Sequence, residues 1–242
     1  MAPERYLDHL ERESAVLADA ADAAGPAAPV PGCPGWTVED LVRHCAAGDL
    51  WARVIVETGS RESAPNELPD DAPTGAALVP YFRDGAAALV RALAATDPAR
   101  SVWTFAASDR TARFWFRRRA HETTVHRVDA EDAAGRGTAI DPDFAADGID
   151  EYLTVFLPRF GRSLDELGGS IHLHCTDVDG EWLLVPDADG VTVTREHAKG
   201  DVAARGTASD LLLHLWGRRP VDALEVFGAA ALLDRFVAAV RV

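Results

Sequence analysis

Up to about residue 160 the apolar residues of this chain recur at three- and four-residue intervals, and beyond it they alternate. A helix returns to one face every 3.6 residues and a strand every second one, so a segment patterned for one cannot bury its apolar side as the other. The switch predicts an α part followed by an α+β part: a helical-bundle domain over residues 1–160 and a small domain over residues 165–242.

The punctuation agrees with the periodicity. Tyr6 to about Ala23 reads as a first helix ending at Gly25-Pro26, and the proline-rich residues 26–35 as an ordered or tethered loop. Thr37 with Asp40 three residues on resembles a capping box opening a second helix through Leu41, His44, Cys45 and Leu50. Residues 59–74 look like a loop. A third helix covers about residues 75–95, with Pro80 either in its first turn or kinking it, and a fourth covers roughly residues 110–134, stopping before Gly135. A fifth follows Pro142. After the switch, residues 170–177 alternate, with Ile171, Leu173 and Cys175 on one side and His172 and His174 on the other, which predicts exposed histidines. Residues 182–185 and 191–195 read as two more strands around a turn at 186–190. Residues 208–216 and about 229–240 read as helices.

Composition excludes several classes. Hydrophobic residues make up 48% of the chain, enough to build cores rather than a disordered polymer. The formal charge of −15, from 39 acids against 24 bases, works against binding nucleic-acid backbones. No apolar run approaches the roughly 20 residues of a membrane span, and the charge-studded residues 1–20 do not read as a signal peptide. Cys33, Cys45 and Cys175 are odd in number and without metal-type spacing, which fits a reduced cytoplasmic protein.

The fourth helix carries the chemistry. Glu122 and His126 lie four residues apart, a spacing that stacks them on one helical face with roughly 6 Å of rise and about 40° of rotation. Mixed carboxylate and imidazole groups on facing helices are how bundles hold divalent ions. His44 is the candidate third ligand, since Ala46, Ala47 and Gly48 would let its helix approach the fourth closely. Two nitrogens and one carboxylate leave a coordination position open, as in catalytic zinc sites, although manganese, iron and nickel also suit the donors. On spacing alone the plainer reading is favoured: His44 and His126 as hydrogen-bonded core histidines, and Glu122 paired with Arg118 or Arg119. His121-Glu122 is not a metalloprotease motif, because the next histidine follows His121 by five residues rather than four. His121 itself reads as a boundary residue. Arg117-Arg118-Arg119 reads mainly as a solvated face, Cys45 as a packing residue, and Cys33 as a loop residue near the mouth of the site with a structural or incidental role.

Pro34-Gly35-Trp36-Thr37-Val38-Glu39-Asp40-Leu41-Val42-Arg43-His44, with Arg119-Ala120-His121-Glu122 and His126-Arg127-Val128-Asp129-Ala130-Glu131, resembles the mycothiol-dependent maleylpyruvate isomerase family. The resemblance implies a DinB-like four-helix bundle whose metal is held by two histidines and a glutamate, here His44, Glu122 and His126. It also implies a small α/β C-terminal domain similar to sterol-carrier proteins. The stretch from Gly206 to Arg218 resembles that module's signature, and Arg218 matches an arginine implicated in activity. Similar sequences often carry an acid after the glycine of Phe227-Gly228, where this chain has Ala229.

The resemblance implies a divalent metal, zinc by donor type, and mycothiol as cofactors, with a small electrophilic or carboxylate substrate as partner. Coordination deprotonates a thiol, and the thiolate is the reactive form. Added to the conjugated double bond of a maleylpyruvate-like acid, it would permit rotation and then leave, giving cis–trans isomerisation. Transfer of the same thiol to an electrophile (an S-transferase) and a non-catalytic metal- or ligand-binding protein are the alternatives. A guanidinium such as Arg218 suits a substrate carboxylate.

Overall fold

The structure is a computed structural model, and it describes residues 1–160, 168–187 and 190–240. The chain forms two compact units, Met1–Thr138 and Ala139–Val242. The sequence's expected boundary between residues 160 and 165 falls largely outside the described residues, as do positions 188 and 189 of the expected turn.

The first unit is built from α1 (Pro3–Ala24), α2 (Val38–Thr58), α3 (Leu78–Ala94) and α4 (Arg113–Ala133). Helix α1 packs on α3 and α4, and α2 packs on the same two, so the four close a ring in which α1 and α2 lie across from each other. Local signals set the helix ends. Thr37 and Asp40 form the reciprocal box, with the Asp40 amide donating to Thr37 Oγ1 and the Thr37 amide donating to Asp40 Oδ2 at 2.8 Å. That satisfies two of the amides a helix start leaves without partners. Pro80 falls in the first turn of α3, where its missing N–H costs nothing. Helix α4 begins at Arg113 rather than residue 110, because Ser101 and Thr111 form a bridge that keeps the approach extended.

Leu17, Val38, Leu41, Val42, Leu78, Phe82 and Ala86 form the apolar centre. The loop at 26–35 is tied down, with the Val30 amide donating to the Trp36 carbonyl and the Val38 amide to the Ala28 carbonyl. This holds Cys33 and Trp36 beside the bundle.

Helix α4 departs from an ordinary amphipathic helix. Arg118, Arg119, His121, His126, Arg127, Asp129 and Glu131 are all buried on it. Charged side chains are almost never buried unless paired. Arg127 shows how they are satisfied: its Nε donates to Glu13 Oε2 on α1 at 2.7 Å, and its Nη1 donates to Glu131 and to Thr138 at 2.8 Å. The expected solvated arginine face is therefore corrected. Arg118 and Arg119 point inward because acids on this unit's own helices wait for them. His121 is likewise buried rather than at a boundary, edge-on to Tyr6.

The second unit contains α5 (Pro142–Glu151), a π-helical turn (Tyr152–Phe156) running into α6 (Leu157–Phe160), then β1 (Ile171–Cys175), β2 (Glu181–Asp187), β3 (Gly190–Thr194), β4 (Val202–Gly206), α7 (Ala208–Leu215), β5 (Glu225–Gly228) and α8 (Ala230–Ala239). The sheet order is β3-β2-β1-β4-β5, antiparallel except for the parallel pair β1 and β4. Helix α7 packs on α5, and α8 lies on β4.

Strands β4 and β5 have no counterpart in the sequence reading. Val202-Ala203-Ala204-Arg205-Gly206 is poor in β-branched residues, and it is strand because it is clasped between β1 and β5. His172 is buried and His174 half-buried, against the expected exposure, because Glu181 from β2 gathers them with His197 on that side of β1. No helix among the described residues is long and apolar enough to cross a membrane.

Candidate metal centre

Helices α2 and α4 are neighbours in the ring, and that brings His44, on α2, to Glu122 and His126, on α4. Nε2 of His44 lies 3.2 Å from Glu122 Oε1, and the His44 and His126 rings stand edge-on with centroids 5.0 Å apart. One donor atom from each of the three residues falls within 4.8 Å of the others.

Each of the two α4 residues has a dedicated support. Nδ1 of His126 donates to Asp129 Oδ2 at 2.9 Å, one helical turn away. Asp129 is fully buried, and it leaves Nε2 of His126 as the lone-pair nitrogen. A carboxylate behind a histidine is the usual outer support of a metal-bound imidazole. Burial pushes His126 down against the opposing pull of Asp129, so the ring is neutral at pH 7.

Glu122 is held differently. Burial alone would push its carboxyl up, but the Arg119 guanidinium, the His44 hydrogen bond and Arg118 hold it well below the usual carboxylate range. Nη1 of Arg119 donates to Glu122 Oε2 at 2.6 Å, and Nε of Arg118 is 3.5 Å from the same oxygen.

Arg119 is itself anchored behind the site. Its Nε and Nη2 both donate to Asp49 Oδ1, at 3.1 and 2.9 Å, and Nη2 also donates to the Cys45 carbonyl at 3.2 Å. Asp49 is fully buried and its carboxyl is pushed up to about 6 by that burial, opposed by Arg119. Gly48 makes room for the guanidinium, since a Cβ there would overlap Arg119. The close approach of α2 to α4 thus admits a side chain and not only a backbone.

The tethered loop closes one side. The Trp36 ring lies over both histidines, with centroids 5.1 Å from His44 and 6.4 Å from His126, and Cys33 Sγ donates to Asp129 Oδ2 at 3.5 Å. Cys45 is buried, as expected, and its thiol is pushed well up by that burial. The plainer sequence reading and the metal reading describe one geometry: Glu122 pairs with both arginines and still faces two imidazoles. The donors fit a divalent cation, with one anionic oxygen, one neutral imidazole backed by a carboxylate, and a second imidazole beside them. Asp49 and Asp129 were not singled out in the sequence. Asp129 could have been, as it lies three residues from His126 on one helical face. Asp49 could not, because only the α2–α4 contact brings it to Arg119.

Arg218 belongs to the second unit, in the turn after α7, where its Nη1 donates to the Trp216 carbonyl at 2.7 Å. Ahead of it Thr207 caps α7, accepting from the Asp210 amide at 3.1 Å.

Fold and site together define a class: a helical bundle with a histidine–glutamate–histidine cluster between two of its helices, followed in the same chain by a mixed five-stranded sheet. Residues 7–131 match the mycothiol maleylpyruvate isomerase N-terminal domain, and residues 143–235 match the C-terminal domain of the same proteins. The chain belongs to the mycothiol-dependent maleylpyruvate isomerase family. Its fold is shared by a crystal structure of the mycothiol-dependent maleylpyruvate isomerase, at 18% identity over 93% of each chain with a TM-score of 0.60. A second crystal structure, of a histidine-to-alanine mutant of that enzyme, matches at 16% identity over 93% of each chain with a TM-score of 0.61. No curated protein matches the chain.

Proposed function

We propose that this protein is a metal-dependent enzyme working with a low-molecular-weight thiol of the mycothiol type, and that it isomerises maleylpyruvate-like acids from cis to trans. The observation that carries the reading is the convergence of His44, Glu122 and His126 within 4.8 Å, with separate buried supports for Glu122 and His126. His44, Glu122 and His126 would hold the ion, and zinc suits two imidazoles and one carboxylate. A bound zinc ion would lower the pKa of a coordinated thiol so that the thiolate, the form able to add to an activated double bond and leave it again, prevails at neutral pH.

The chain's own residues set the conditions. Arg119 and Arg118 keep Glu122 ionised, Asp129 fixes the His126 tautomer and ring plane, and Trp36 shields one side of the cluster from water. Arg218 is proposed to act on a substrate carboxylate, for which its planar fork is suited. Cys33, Cys45 and Cys175 are not joined in disulfides, which suits a reducing cytoplasm.

Replacing Glu122 or His126 with Ala tests the reading: bound metal and thiol-dependent turnover are expected to fall together. Turnover that survives loss of the metal would overturn it. Assaying maleylpyruvate beside simple electrophiles with the same thiol separates isomerisation from S-transfer, since only transfer consumes the thiol.

A further inference from the structure

The second unit carries another convergence of metal-type donors. His172 and His174 are two residues apart on β1 and so share one face, and Glu181 opens β2 directly opposite His174 in the antiparallel register. His197 comes from the connection between β3 and β4. Nε2 of His172 lies 3.1 Å from Glu181 Oε2, Nδ1 of His174 lies 3.1 Å from Oε1, and Nδ1 of His197 lies 2.7 Å from Oε2.

The three rings stand mutually edge-on, with centroids 5.7 to 6.1 Å apart and interplanar angles of 70 to 89°. Three imidazoles thus close around a single carboxylate, each turning a nitrogen toward the same point. One donor atom from each of the four residues falls within 4.8 Å of the others. A tetrahedral zinc ion with ligands at about 2.1 Å holds its donors roughly 3.4 Å apart, close to the 2.7 to 3.1 Å between each histidine and Glu181 and inside the 4.8 Å that bounds the whole set.

The surroundings also favour a cation. The adjoining cavity is lined by Asp147, Asp150, Asp177, Asp179 and Glu196 against one cation, Arg195, an acid-rich wall that draws cations. The segment bearing His197 is fastened by Arg195, whose Nε donates to Asp150 Oδ1 at 2.9 Å, and Trp182 Nε1 donates to the same oxygen at 2.7 Å. A position near the histidines is thereby imposed on an otherwise exposed segment.

We infer that His172, His174, Glu181 and His197 form a second divalent-cation site, of the zinc-binding type, which ties β1, β2 and the β3–β4 connection together. With four protein ligands it has the closed character of a structural site. It is independent of the cluster at Glu122, which lies in the other unit.

The test is a calorimetric titration of zinc alone into chelator-stripped full-length protein carrying His44→Ala, which disables the first centre. One tight equivalent is expected to remain. Adding His197→Ala, and separately His174→Ala, should weaken that equivalent at least tenfold. His197 has an 80% exposed side chain, so its replacement should leave the fold intact, and circular dichroism checks this. Absence of a tight equivalent in the His44→Ala protein, or unchanged affinity in the folded His197→Ala and His174→Ala proteins, would overturn the assignment. Failure at the first centre reads differently, as equal zinc stoichiometry in the wild-type and His44→Ala proteins.

Discussion

Replacing Arg119 with Met keeps an unbranched apolar stem, shorter than the original side chain, and removes the charge, stranding Asp49 in the bundle. Two routes give the size of the effect. Breaking a buried ion pair by deleting one partner costs about 3–5 kcal/mol. Asp49 can escape by taking a proton, and keeping neutral an acid that ionises near 3.9 in the unfolded chain costs about 1.4 kcal/mol per pH unit, or about 4 kcal/mol at pH 7. Asp49 is already pushed up to about 6 with Arg119 present, so the wild type carries about 3 kcal/mol of that cost, and the second route adds only about 1.4 kcal/mol, the lower end of the range.

For a chain of this size about 1.4–4 kcal/mol corresponds to a drop in Tm of roughly 3–16 °C, read by circular dichroism or scanning calorimetry. The pH dependence carries the sign. A carboxyl whose folded pKa is raised destabilises above its unfolded value, and that penalty fades as pH falls toward it, so the gap between variant and wild type should narrow by pH 5. Adding Asp49→Asn to Arg119→Met should recover much of the loss at pH 7. A variant within about 2 °C of wild type at pH 7, or a gap as wide at pH 5, would refute the account of a buried acid neutralised by Arg119.

Gly48→Ala sets two rules against each other: helix propensity favours Ala by about 1 kcal/mol, whereas overlap with the pinned Arg119 guanidinium costs about 1–3 kcal/mol, so urea denaturation should show net destabilisation. Burial would raise Glu131, but Arg127 and Thr138 hold its carboxyl below the usual value. Its contribution is therefore present at neutral pH and lost as pH falls through the folded-state value, and the deficit of Glu131→Gln at pH 7 should vanish in melts at acid pH. Thr37→Ala removes the cap of α2 and should cost about 1 kcal/mol by the same denaturation measurement. If His126 holds a metal, Asp129→Asn should weaken zinc binding about 10–100-fold in a competition titration, and unchanged affinity would count against the site.

The helices and the shared face of Glu122 and His126 were legible because each rests on a local signal. Thr37 and Asp40 announce a helix start, Gly135 a stop, and four-residue spacing puts Glu122 and His126 on one face. What the sequence hid depends on distant partners. Arg119 looks solvated until Asp49, about 70 residues earlier in the chain, is placed behind it by helix packing. Strand β4 is strand because β1 and β5 flank it, and no intrinsic preference of Val202-Ala203-Ala204 says so. His172 and His174 obey the alternation that predicted their shared side. Whether that side meets water depends on Glu181 and His197, which arrive from elsewhere in the chain.

The ring order of the bundle also governs how it can be made. Helix α4 is the last of the four to be synthesised, yet it is the partner of both α1 and α2. While the chain grows from its N-terminus, Glu13 has only its neighbour Arg12 and Asp49 has no arginine behind it, since Arg127 and Arg119 are not yet made. A nascent chain stopped before residue 113 would therefore hold three helices, with Glu13 on α1 and Asp49 on α2 still waiting for Arg127 and Arg119. The ring is complete only once α4 has been made, and α4 serves as its keystone.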